Sequence, residues 1–119
     1  MFLQLNHQKL DVYQTSKAFT LACYRLSKQL PSDEKFGMIS QVRRAALSVH
    51  LNIAEGCSRK SLTERKRYYE ISRGSLIEID AALDIANELD YLQNFDLKPL
   101  GELLVRCFKI LCGMIDTKD

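Results

Sequence analysis

The sequence predicts an all-α protein, an antiparallel up-down-up-down four-helix bundle formed by residues 1–119 as a single domain. Three observations carry this. Glycine (five) and proline (two) are scarce, so turn chemistry is confined to a few places. The apolar row Ile39, Val42, Ala46, Val49, Ile53 steps alternately by three and four residues, the rhythm of a helix packed lengthwise against others. Four amphipathic segments of this kind follow one another with short links, which is the pattern of an up-down bundle.

The first helix is expected from about Lys9 to Leu30, after a ragged leader reaching Asn6. Its buried stripe is Val12, Ser16, Phe19, Cys23, Leu26 and Leu30, and Gln14, Lys17, Arg25 and Lys28 make a solvated basic face. Pro31 cannot continue a helix, and Ser32 is placed to cap the next, with Asp33 and Glu34 in a first turn where the dipole favours negative charge. The second helix ends at Gly56, read as a left-handed C′ residue. Beside its apolar row runs a polar seam, Gln41, Ala45, Ser48, Asn52, Glu55.

A basic link, Cys57-Ser58-Arg59-Lys60, leads to Ser61-Leu62-Thr63-Glu64, a capping box. The third helix runs from about Leu62 to Leu89 with Tyr69, Ser72, Leu76, Ile79, Leu83 and Ala86 inward. Gly74 in its middle costs about 1 kcal/mol relative to alanine and suggests a neighbouring backbone close by. Residues 90–95 form a turn. Asp96 caps the fourth helix, Pro99 sits harmlessly in its first turn, and Leu97, Leu100, Leu104, Phe108, Leu111 and Ile115 are buried.

The bulk numbers fit one soluble globular domain. A chain of 119 residues hides about two thirds of its unfolded surface. Apolar residues at 46% and charged residues at 27% argue against disorder. There is no signal peptide and no apolar stretch near the ~20 residues of a membrane span, so a cytoplasmic location without membrane contact is expected. The four cysteines lack C-x-x-C spacing and are read as reduced thiols, with no metal and no cofactor.

Enzyme signatures are missing. Neither histidine has a glutamate three residues before it, as a di-iron bundle requires, and there is no phosphate loop, nucleophile elbow or H-E-x-x-H. His50, the one candidate base near Glu55 or Cys57, reads as structural. Arg43 and Arg44 stand one turn from the Ser48/Asn52 row, one of them placed to pair with a third-helix carboxylate such as Glu78. Asn52 and Glu55 read as residues that fix helix register, reaching Ser72 or Ser75.

Charge is segregated although the net charge is only +2. Residues 58–73 hold six Lys/Arg against two acids, whereas residues 74–96 hold six acids and no Lys or Arg. The basic cluster Arg59, Lys60, Arg65, Lys66, Arg67 and Arg73 begins at a helix N-terminus, where backbone N–H groups favour anions. Tyr68 and Tyr69 follow, in a spacing suited to stacking on bases. The same run also fits a solvated helix end with local pairing, Glu64 to Arg67 for instance.

Gln41 to Gly56 (Q-x-R-R-A-A-x-S-x-x-x-N-I-A-E-G), Tyr68 to Glu78 (Y-Y-x-I-S-R-G-S-L-x-E) and Leu83 to Leu92 (L-D-I-A-N-E-L-D-Y-L) resemble bacterial four-helix-bundle proteins encoded in intervening sequences of large-subunit rRNA genes. Those proteins often carry a ribosomal-protein label. They are similar in turn to the accessory variability proteins of diversity-generating retroelements, which are strongly basic pentameric rings that bind nucleic acid and a reverse transcriptase. The resemblance implies a homopentamer without enzymatic activity that binds RNA or DNA. A protein–protein adaptor, using the polar seam and the acidic half of the third helix, is the other reading.

Overall fold

The computed structural model describes residues 1–118, and every regular element among them is helical. Four helices follow in chain order: α1 (Asp11–Ser27), α2 (Met38–Cys57), α3 (Leu62–Glu88) and α4 (Lys98–Asp116). Short 3-10 turns precede the first two, at Asn6–Lys9 and Ser32–Glu34.

Cross-helix contacts fix the directions. Ser16, Thr20 and Ser27 of α1 meet His50, Ala46 and Arg43 of α2, so numbers rise on one helix as they fall on the other. Tyr69, Ser72 and Ser75 of α3 meet Gly56, Val49 and Ser48 in the same antiparallel sense. On α4, Cys112 meets Arg73 of α3, and Phe108 shares a groove with Leu76. Arg106 of α4 reaches Asp11 of α1, while Leu100 lines a cleft with Ala22. Each helix touches its two neighbours around the bundle, and the diagonal pairs α1/α3 and α2/α4 make no backbone approach.

The stripes expected from the sequence form most of the core, although Leu83, Leu97, Phe108 and Ile115, expected inward, are only half-buried against it. Phe19, Leu26, Val42, Val49, Ile53, Leu76, Ile79 and Leu111 are fully buried, each contributing about 1.5–3 kcal/mol by leaving water. Cys107, outside the expected fourth-helix stripe, is also fully buried. Between α2 and its neighbours the contacts are small and hydroxylic. The Thr20 hydroxyl lies 2.9 Å from both the Ser16 and Ala46 carbonyl oxygens, and Ser72 donates to the Val49 carbonyl at 2.8 Å. Small side chains let the backbones approach, and the hydroxyls satisfy buried carbonyl oxygens.

Several boundaries differ from expectation. α1 starts at Asp11 because Leu10 is extended, and it stops at Ser27, before the segment that meets Pro31. Leu30 lies beyond the helix yet stays buried. Ser32 does not cap α2: Ser32–Glu34 close one 3-10 turn, and α2 begins only after Gly37. Asp33 and Glu34 therefore sit ahead of that helix. Gly56 is not a left-handed terminator, since no glycine has positive φ and α2 continues through Cys57. Its lack of a side chain serves close approach instead: a Cβ there would come within 2.7 Å of Tyr69 Cε1. Gly74, expected beside a neighbouring backbone, has nothing within 4 Å of a built Cβ.

The remaining caps are met in part: Ser61 makes its half of the capping box without a return bond from the Glu64 side chain, and the N-cap of α4 is Leu97, with Asp96 one residue ahead of it. Ser61 Oγ accepts the Glu64 N–H at 3.1 Å, and Asp96 accepts the Lys98 N–H at 3.1 Å. α3 ends in a Schellman motif: Asp90 is left-handed (φ 62°), and the Tyr91 and Asp90 N–H groups donate to the Ala86 and Asn87 carbonyls.

Candidate nucleic-acid interface

The antiparallel order brings the α2–α3 junction, the start of α1 and the end of α4 to one end of the bundle. The junction is held by its own cations. The Arg59 guanidinium lies over the Tyr68 ring, 5.0 Å from the centroid, donates to Tyr68 Oη at 3.0 Å and pairs with Glu55 one turn earlier. Tyr68 first, and Glu55 after it, hold the Arg59 pKa above its ordinary value. Arg65 Nε donates to the Arg59 carbonyl at 2.6 Å, tying the link to the first turn of α3. Arg73 points across to α4, with Nη1 3.5 Å from Cys112 Sγ.

Lys60, Lys66 and Arg67 are different. Among the described residues they make no ion pair and no side-chain hydrogen bond, and Glu64 does not pair with Arg67. Lys60 and Arg67 are exposed, and Lys66 is half-buried. The six cations named from sequence thus divide into two that build the junction (Arg59 and Arg65), one that reaches α4 (Arg73), and three without a side-chain partner among the described residues.

The tyrosines do not form the stacking platform expected of them. Tyr69 is buried against Gly56, with its hydroxyl 3.5 Å from Cys57 Sγ. Burial first, then the Cys57 contact, pushes that hydroxyl's pKa well up. One face of Tyr68 is taken by Arg59. Beside them lies a cleft of about 440 Å³, walled by Leu5, His7 and Leu10 on one side and by Cys57, Arg65 and Tyr69 on the other. The leader thus lies against the junction, an arrangement with no signal in hydrophobic periodicity.

The polar seam is smaller than expected and differently paired. Ser75 donates to Ser48 Oγ at 2.9 Å, and Asn52 Nδ2 reaches the Ser48 carbonyl at 2.8 Å and its hydroxyl at 3.0 Å. Glu55 is exposed and reaches Arg59 rather than Ser72 or Ser75. Arg43 turns the other way, to α1, donating to Ser27 Oγ at 2.7 Å with its guanidinium 5.4 Å from the Tyr24 centroid. Arg44 and Glu78 are exposed, and the expected Arg–Glu78 pair is not formed. A neutral hydroxyl answers the guanidinium where a carboxylate was expected.

His50 meets neither Glu55 nor Cys57. Its Nδ1 is 2.8 Å from Ser16 Oγ, and its ring packs 4.5 Å from that of Tyr13. Burial, then the charge of Lys17, lowers its pKa. The four thiols are free; burial pushes those of Cys23 and Cys107 up to about 12. Among the described residues no three His, Cys, Asp or Glu side chains gather as a metal ion would require, and no helix is long and apolar enough to cross a membrane.

A family model described as 23S rRNA-intervening sequence protein matches residues 8–113. No curated protein matches the chain.

Proposed function

The chain belongs to the 23S rRNA-intervening sequence protein family, and from that premise we propose that it is a non-enzymatic, homo-oligomeric bundle that binds RNA, or DNA of similar charge, at the α2–α3 junction. One observation carries the reading. Among the described residues Lys60, Lys66 and Arg67 have no carboxylate partner, while Arg59, Arg65 and Arg73 are engaged within the fold. Unpaired cations beside a helix N-terminus suit phosphate, which needs no sequence-specific groove.

Three cations are a small footprint for one chain. Assembly multiplies them, and the resemblance read from the sequence motifs favours a five-membered ring. The test is a titration of structured 23S rRNA fragments at low salt, where counterion release favours binding most. Wild-type protein binds, and Lys60→Glu/Lys66→Glu/Arg67→Glu does not. Arg65 is left intact because it holds the junction together. Absence of wild-type binding at low salt overturns the proposal.

The adaptor reading is favoured by a separate observation: α3 is acidic beyond Gly74 and exposes Ile77 and Ile85, with Leu89 exposed just past its end. It differs in outcome, since the triple reversal leaves capture of a protein partner intact.

A further inference from the structure

We propose that the outer face of α3 of one copy docks on the outer face of α1 of the next, head to tail, through an aliphatic contact ringed by opposite charges. This deepens the homo-oligomer reading above and rests on it.

On α1, Lys17, Leu21, Arg25 and Lys28 are all exposed and lie within about a quarter turn of one another at 3.6 residues per turn. On α3, Glu70, Ile77, Asp84 and Glu88 are exposed and share one narrow stripe, with Asp80 and Ala81 flanking it. Each face centres on one large uncovered aliphatic, Leu21 at 48% exposure and Ile77 at 56%. One surround is positive; the other is acidic along α3 beyond Ile77, at Asp80, Asp84 and Glu88, with Lys109 of α4 on the far rim of the groove and Arg73 one turn before Ile77. Beside Ile77 a groove of about 300 Å³ runs between α3 and α4, floored by Leu76, Leu104 and Phe108 with Val105 on its rim. A leucine side chain fits that space.

The spacing and direction agree. Leu21 and Lys28 are two turns apart on one face, as are Ile77 and Asp84. With Leu21 set against Ile77 in parallel register, Lys28 meets Asp84 and Arg25 meets Asp80. Parallel register is what the bundle provides. In an up-down-up-down order α1 and α3 run the same way, and they occupy opposite corners whose backbones do not approach one another within one chain. A ring whose axis follows the helices keeps all copies pointing one way and brings α1 of one beside α3 of the next. The contact is heterologous, so the pairing repeats until the ring closes. Charge complementarity of this kind selects partner and register more than it sets strength.

Charge-swap complementation tests this, read as mass in solution by light scattering. All four positions are exposed, and circular dichroism identical to wild type establishes that each variant is folded. Wild-type protein gives a multiple of 13.7 kDa. Asp80→Lys/Asp84→Lys alone and Arg25→Glu/Lys28→Glu alone each fall to the monomer mass, with at least a hundredfold weaker association. The quadruple variant that carries all four changes in one chain regains the wild-type mass, since every contact between copies is again complementary with its charges exchanged, whatever the number of copies in the ring. Assembly that survives both double variants, or that is abolished instead by Leu51→Lys at the α2 surface, overturns the docking proposal and leaves homo-oligomerisation standing. Dissociation without rescue in the quadruple variant overturns the pairing of these two faces. A wild-type monomer at every concentration overturns the homo-oligomer reading itself. None of the substitutions touches Lys60, Lys66 or Arg67, so RNA binding is scored separately.

Discussion

Gly56 and Gly74 both sit inside helices, yet only Gly56 has a neighbour where its side chain would be. Gly56→Ala forces the buried Tyr69 ring to move and is expected to cost about 1–3 kcal/mol, the range for overpacking. Gly74→Ala meets open space and is expected to add about 0.5–1 kcal/mol by raising helix propensity. Urea denaturation of the two variants checks both signs. The sequence marks both positions as glycine within an apolar pattern, but what each faces is set by another helix. A second residue-scale expectation concerns pH. The His50 pKa is lower in the fold than in the unfolded chain, so the unfolded chain takes up the proton first. The stability is present above about pH 6.5 and is lost as pH falls through that value toward the folded pKa. His50→Gln should flatten melting temperature against pH in that window, without changing the further loss at lower pH, where the lowered pKa of Asp11 beside Arg106 is overtaken.

At the scale of the element, interiors were legible and ends were not. The three-four rhythm places Val12, Phe19, Cys23 and Leu26, or Val42, Ala46, Val49 and Ile53, on buried faces because burial follows helical geometry alone. An end depends on competition among caps. Ser32 is a good N-cap by type, but its turn is closed by Glu34 donating to the Pro31 carbonyl, which leaves the start of α2 to Gly37. Asp90 shows the reverse. It takes the left-handed position after α3 that glycine takes more readily, and its side chain makes no hydrogen bond there among the described residues. Asp90→Gly should therefore stabilise the protein by about 1 kcal/mol, seen as a rise of a few degrees in a thermal melt.

For the whole molecule, the family and the bundle were legible, and the charge cluster stood out as an asymmetry. Which cations are free was not legible, because Arg65 to the Arg59 carbonyl and Arg73 to Cys112 are tertiary contacts. The Asp11–Arg106 bridge, at 2.8 Å, joins residues 95 positions apart and left no local trace. Both side chains are more than half exposed, so solvent and salt screen the pair and it adds little to stability. RNA affinity should fall with salt, and every phosphate that is no longer neutralised should make the log–log slope shallower by about 0.7–0.9. Reversing Arg67 alone is then expected to lower that slope measurably per chain while leaving the melting temperature nearly unchanged.

The two connections at the pole remote from Lys60, Lys66 and Arg67, residues 28–37 and 89–97, are separated from the α2–α3 link by the length of the bundle. α3 alone, with 27 residues, spans about 40 Å. A fluorophore attached at exposed Asn94 would stand that far from any polynucleotide engaged at the other pole. Energy transfer from an end-labelled RNA would then measure which pole it occupies, in a chain whose own side chains near the label remain unaltered.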